Sequence, residues 1–306
     1  MIAQVRPLRP EYAATSVRRL WGVVLPPPER ARDGRGAPRQ RLPPLPLADV
    51  DPQGRLRRAL DGAKRVIPAA RLISMPSRAA THTAPETMSA LCGHRRVPPG
   101  TGGTAPRAFL AALTVLQRDP HAILAALPAD HLIELGPRLM RQVVRAAGAV
   151  AVRPELPVLV SVHQPAGDPD YGWADPGEPL AGLEPFGVRA VRRVVAGPSA
   201  AESPPGLLRT VAVVVGARAL IALGRRHAPE VMACLEPRSA SLRAEIAIDP
   251  LGRADEDGID AAVWEAMPHA SLCGDVLALA DELGVVSMPD TSIGERARPA
   301  FHAVAA

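Results

Sequence analysis

The stretch Ala122-Ile123-Leu124-Ala125-Ala126-Leu127-Pro128-Ala129-Asp130-His131 decides the fold. Six apolar residues in a row, closed by a turn, read as a strand buried on both faces. The segment before it, 104–117, carries Phe109, Leu113 and Leu116 at helical spacing. The segment after it, 137–148, reads as a second helix. Outward from there the alternation continues. Strands are expected at 21–25, 70–75, 95–97, 157–162, 191–195, 211–215 and 284–288. Helices are expected at 54–66, 216–228 and 274–282. Pro26 to Pro46 is rich in proline and arginine and reads as loop. Buried strands alternating with helices imply an α/β chain whose parallel-type sheet is covered on both faces.

Composition bounds what such a chain does. Its 306 residues are 47% hydrophobic and 22% charged, which suits a globular protein with a real core rather than a disordered one. Only 3 Phe, 2 Tyr and 3 Trp are present, so the core is built from Leu, Val, Ile and Ala. Thirty-five prolines exclude a long-helix or coiled-coil protein. Lys64 is the single lysine, and arginine supplies the remaining positive charge of a +5 chain. Cys92, Cys234 and Cys273 are few, odd in number and far apart, which suits a reducing cytoplasm. The N-terminus lacks the apolar run of a signal peptide, and no apolar stretch reaches the length of a membrane span.

In open α/β sheets, ligands sit beyond the carboxyl ends of the strands. Asp130 leaves such a strand end, where a carboxylate suits a hard cation and its phosphates; a solvated turn Asp beside His131 is the plain alternative. Gly103-Thr104 opens a helix, where exposed N–H groups attract phosphate or a base carbonyl; an ordinary Thr cap is the plain alternative. Tyr171 and Trp173 flank Gly172, in a segment that also reads as a packed turn.

Three segments in order, Gly103-Thr104-Ala105-Pro106, Pro128-Ala129-Asp130-His131 and Tyr171-Gly172-Trp173-Ala174-Asp175-Pro176-Gly177, resemble the sugar-1-phosphate nucleotidyltransferases, most closely the mannose-1-phosphate guanylyltransferases. The resemblance implies a Rossmann-like three-layer α/β/α fold with a mixed, mostly parallel central sheet. It implies an N-terminal extension over 1–20 and one domain over 21–306. It implies transfer of a nucleotidyl group from a nucleoside triphosphate, GTP first among them, to a sugar 1-phosphate, with pyrophosphate released. The implied catalytic residues are Arg39 and Asp130. Gly103, Thr104 and Ala105 would meet the nucleotide, and Tyr171, Gly172 and Asp175 the sugar. Asp130 and Glu295 would hold Mg²⁺. Neither a membrane nor a nucleic acid is an implied partner, and self-association stays open.

The departures carry an alternative. The family's glycine loop is replaced by Pro26-Pro27-Pro28-Glu29, which offers no N–H donors at its prolines. The family's sugar-phosphate lysine is missing from Ala196-Gly197-Pro198-Ser199. A non-catalytic protein that binds a nucleotide or sugar nucleotide, with a regulatory or scaffold role, is therefore the second reading. A nucleic-acid-binding protein is the third, on the strength of a pI near 9.8 and the cluster Arg30, Arg32, Arg35, Arg39 and Arg41. The lack of interleaved aromatics in that cluster speaks against it.

Overall fold

The structure is a computed structural model that describes residues 17–25, 52–75, 94–95, 103–163, 172–196, 206–238 and 267–288. The expected loop at 26–46 and most of the N-terminal extension at 1–20 lie outside these residues. Among these residues, nine strands form one sheet: β1 (Leu20–Leu25), β2 (Leu72–Ser74), β3 (His94–Arg95), β4 (Ile123–Pro128), β5 (Val158–His163), β6 (Gly172–Pro179), β7 (Arg189–Ala196), β8 (Leu208–Gly216) and β9 (Gly284–Met288). Their order is β3-β2-β1-β4-β8-β5-β9-β7-β6, and β6 also pairs with β8. That last pairing closes β8, β5, β9, β7 and β6 into a ring.

Among the described residues, five α-helices cover the sheet: α1 (Pro52–Lys64), α2 (Thr104–Leu116), α3 (Ala129–Val152), α4 (Ala217–His227) and α5 (Pro229–Leu235). The alternation of side chains along each strand divides the core in two. Val23, Leu124, Ala126, Val213 and Val215 pack under α2, α4 and α5. Leu20, Val24, Ala125, Leu127, Val158 and Val160 pack under α1 and α3. The layers are therefore helix, sheet, helix.

The sheet corrects one expectation. It is mixed, but five of its nine pairings are antiparallel and four parallel. The parallel reading came from all-apolar strands, and β8 shows why that signal misleads. β8 is buried over its whole length because helices lie on both faces, yet it runs antiparallel to both β4 and β5. Burial on two faces reports cover, and cover does not fix direction.

Local chemistry explains the remaining differences. The helix expected at 137–148 is the second part of α3, which begins at Ala129 and bends at Gly136 (φ 45°, ψ −122°), followed by Pro137. Proline has no N–H to give and disfavours helical geometry at the residue before it, so a glycine takes up the bend. The helix expected at 274–282 is instead a wide turn over Leu272–Val276 followed by a tight one over Leu277–Leu279. There the Asp275 carboxylate accepts the Ser271 N–H, and the Ser271 hydroxyl accepts the Gly274 N–H. Such side-chain-to-backbone bonds compete with a helix. β6 was not expected as a strand. It holds Pro176 and Pro179, and its ladder with β7 shifts register at both. Prolines enter strands at irregularities of this kind.

Candidate functional site

β1, β2, β3 and β4 are parallel, β8 is antiparallel to β4 and β5, and β9 is parallel to β5. One end of the sheet therefore gathers the carboxyl ends of β1–β5 and β9 with the start of β8. The start of β6 joins them, since Trp173 pairs with Arg209 and Ala174 with Leu208.

Asp130 stands at this end, in the first turn of α3 directly after β4. A helix N-terminus favours a carboxylate there. The next residue anchors the turn: the buried His131 ring meets the Val211 carbonyl through Nδ1 at 2.8 Å, which requires Nδ1 to carry the proton and donate. His131 Nε2 lies 3.9 Å from the Asp130 carboxylate. One helical turn on, Glu134 faces Arg209 of β8, with Oε2 and Nη2 3.8 Å apart. The Arg209 side chain is only 5% exposed, so it sits in a medium where charge is felt strongly. Burial pushes the Glu134 carboxyl up from its usual 4.5; Arg209 pulls it back, and the Asp130 charge adds to the rise. Arg209 and Asp130 thus both act on Glu134.

The Gly103-Thr104-Ala105 start of α2 is engaged with a distant part of the chain. The Ala105 N–H donates to the Ala270 carbonyl at 3.0 Å. The Thr104 hydroxyl accepts the Leu272 N–H at 2.9 Å. Gly103 (φ 87°) lies so close that an added Cβ would stand 2.3 Å from the Ala270 oxygen. Arg107, one turn into the helix, donates to the Gly103 carbonyl at 3.0 Å.

The same distant segment reaches β6. A Cβ on Gly172 would meet the Cys273 Cβ at 3.2 Å, so among the described residues the close approach that Gly172 permits is to Cys273. Residues 270–273 therefore join the expected nucleotide segment to the expected sugar segment. Burial pushes the Cys273 thiol up to about 12. Asp175 lies further along β6, opposite Arg193 of β7. Its Oδ1 is 3.6 Å from Arg192 Nη1 and its Oδ2 is 3.7 Å from Arg193 Nε, so a guanidinium group lies beside each oxygen.

Of the expected site residues, Arg39, Tyr171 and Glu295 lie outside the described residues. Gly103, Thr104, Ala105 and Gly172 are brought together through 270–273. Asp130 sits beside the start of β8, whose Arg209 pairs with Trp173, the neighbour of Gly172. Sequence reading missed Glu134 and the role of Arg209. The four-residue spacing of Asp130 and Glu134, which puts both on one helix face, was the available signal for the first. No local signal exists for Arg209, which meets Glu134 across 75 positions.

Asp130 suits a Mg²⁺ ion that arrives with phosphate oxygens as its other ligands. It does not suit an ion held by the protein alone, because the carboxylate one turn away is paired with Arg209. Among the described residues no three His, Cys, Asp or Glu side chains cluster as a metal site would require. No helix there is long and apolar enough to cross a membrane.

No family model matches the chain, and no curated protein matches it by sequence. Solved structures do match. One, described as a mannose-1-phosphate geranyltransferase from Thermus thermophilus, has a TM-score of 0.61 at 18% identity, covering 88% of this chain and 74% of that one. Another, described as a mannose-6-phosphate isomerase from Helicobacter pylori, has a TM-score of 0.61 at 14% identity, covering 89% and 98%. At these identities the likeness is one of fold alone: the chain shares the α/β architecture of these two structures.

Proposed function

We propose that the chain is a nucleotidyltransferase-like protein that takes a nucleoside triphosphate and a sugar 1-phosphate at the carboxyl end of its sheet. GTP and mannose 1-phosphate are the first pair to try, because three short segments of the sequence resemble those of the mannose-1-phosphate guanylyltransferases. In the reaction, a phosphate oxygen of the sugar 1-phosphate forms a bond to the α-phosphorus. The bond from that phosphorus to the bridging oxygen breaks, and pyrophosphate leaves. This reading treats 21–306 as one domain and places the protein in the cytoplasm.

The observation that carries it is the position of Asp130. It stands at a strand end in a helix's first turn, beside the start of β8. Ligands are bound at such places in α/β sheets. Transfer of this kind relies on positioning and charge rather than covalent chemistry. Asp130 would hold a Mg²⁺ ion brought by the triphosphate, and the ion would supply neutralisation of charge on the phosphates. His131 fixes the turn that carries Asp130 by its bond to Val211. Arg39, Tyr171 and Glu295 remain assigned to pyrophosphate, sugar and metal by resemblance.

The test is pyrophosphate release from GTP and mannose 1-phosphate with Mg²⁺, followed by a panel of other nucleotide and sugar pairs. Turnover by the natural chain and its loss in Asp130→Ala, folded to the same melting temperature, is the expected result. Silence across the panel from folded protein would end the catalytic reading.

A second reading is favoured by Thr104 and Ala105. Both commit polar groups to the backbone at 270–272, which leaves fewer donors at that helix start for a ligand. A non-catalytic binder would show a melting shift with GTP or GDP-mannose and no turnover.

A further inference from the structure

The carboxylates at the carboxyl end of β4 raise a separate question: what balances their charge when no nucleotide is present. Asp130 and Glu134 lie on one face of α3, one turn apart, close enough for the Asp130 charge to act on Glu134. Two like charges this close oppose each other unless a cation stands between or beside them. In metal-dependent sites a divalent ion does this. Here Arg209 enters from β8, with its guanidinium 3.8 Å from Glu134 and its side chain almost wholly buried. An arginine cannot shed its charge in a protein. Its position is fixed by the sheet, since Arg209 is in register with Val162 of β5 and Trp173 of β6.

We infer that Arg209 is the resident cation of this site and holds off divalent ions in the nucleotide-free protein. A second cation placed beside Asp130 and Glu134 would sit in the field of a buried guanidinium. A buried guanidinium and a divalent ion beside the same carboxylates repel each other more strongly than they would in water. The ion therefore comes to Asp130 only with a ligand that brings its own oxygens. The inference concerns ion binding by the protein alone, so it stands or falls separately from the reaction proposed above.

The test is Mn²⁺ titration of the nucleotide-free chain at pH 7.5, read by the electron paramagnetic resonance of free Mn²⁺. The natural chain is expected to show no Asp130-dependent site below the millimolar range. Arg209→Met is expected to bind Mn²⁺ at least about tenfold more tightly, as removal of a charge of this size requires. Adding Asp130→Asn to that variant is expected to abolish the gain, and Arg209→Lys, which keeps the charge, is expected to show none. Submillimolar Mn²⁺ binding by the natural chain that Asp130→Asn removes would overturn the inference. So would a folded Arg209→Met that gains nothing. If Arg209→Met does not fold, the natural chain compared with Asp130→Asn and Arg209→Lys still decides it.

Discussion

The Thr104 hydroxyl and the Leu272 backbone N–H, 168 positions apart in sequence, meet at 2.9 Å. This bond and the one from Ala105 to Ala270 fasten 270–272 over the start of α2. Thr104→Val keeps the shape and removes the acceptor. It is expected to cost about 1–3 kcal/mol, the penalty for stranding a buried donor, while Thr104→Ser keeps most of the stability. Urea unfolding of the three proteins checks it.

Gly103 makes the same contact possible from the other side. Its φ of 87° suits glycine, and a Cβ would collide with the Ala270 carbonyl oxygen. Gly103→Ala is expected to lose more than the roughly 1–2 kcal/mol of backbone strain alone, because the blocking atom is backbone and cannot rotate away. Gly182→Ala, at φ 79° with open space around the added carbon, is expected to show the strain without the clash. The difference in melting temperature between the two variants isolates the contact.

Glu134 gives the protein a pH dependence of definite sign. Burial raises its folded-state value above the usual 4.5. The folded state then binds the proton more tightly than the unfolded one. This group's contribution to stability therefore falls as pH rises from 4.5 through the folded-state value, and is level above it. Relative to Glu134→Gln, the natural chain is expected to lose stability over that interval. Unfolding midpoints of both proteins measured from pH 4 to 8 would show a constant difference if the idea is wrong.

The Glu134–Arg209 pair is expected to behave as one unit. Arg209→Met leaves a half-buried carboxylate without its cation and is expected to cost about 2–4 kcal/mol. Adding Glu134→Gln is expected to restore at least about 1 kcal/mol, because neither charge is then stranded. Simple addition of the two single effects in a double-mutant cycle would rule this coupling out.

Cys273 is expected to resist alkylation. With its thiol pushed up to about 12, the thiolate fraction at pH 8 is smaller than that of an ordinary cysteine by about three orders of magnitude. Mass spectrometry after iodoacetamide treatment should find Cys273 unmodified in folded protein and modified after urea. Cys273 is only partly shielded from solvent, so rapid labelling of the folded chain would show that its thiol is not held in the neutral form.

Much of the fold was legible because the strand at 122–127 and its neighbours are apolar without interruption. Such runs locate strands whatever their direction. Direction was not legible, because β8 is as apolar as a parallel strand while running the other way. β6 was hidden by its own prolines, and the first part of α3 by the Gly136-Pro137 pair that made the helix look later than it is. The position of Asp130 at a strand end was legible from the apolar run before it. Arg209 was not, since its partner lies on another element and only the folded sheet brings them together. Nor was the cover of Thr104 and Ala105 by 270–272, which rests on backbone groups that every sequence carries.

The pairing of β6 with β8 also bears on how this protein behaves among copies of itself. A sheet that ends in an open strand offers a row of unmet N–H and C=O groups, a template for aggregation. Here β6, the last strand in the order, is tied back to β8 over Trp173 and Ala174, so that side of the sheet is partly sealed against edge-to-edge growth. Among the described residues, the opposite side ends in β3, two residues long and made of His94 and Arg95. Short and polar outer strands of this kind are poor seeds for growth. For a chain whose core is drawn almost wholly from aliphatic residues, that topology leaves little open edge among the described residues for a second copy to extend.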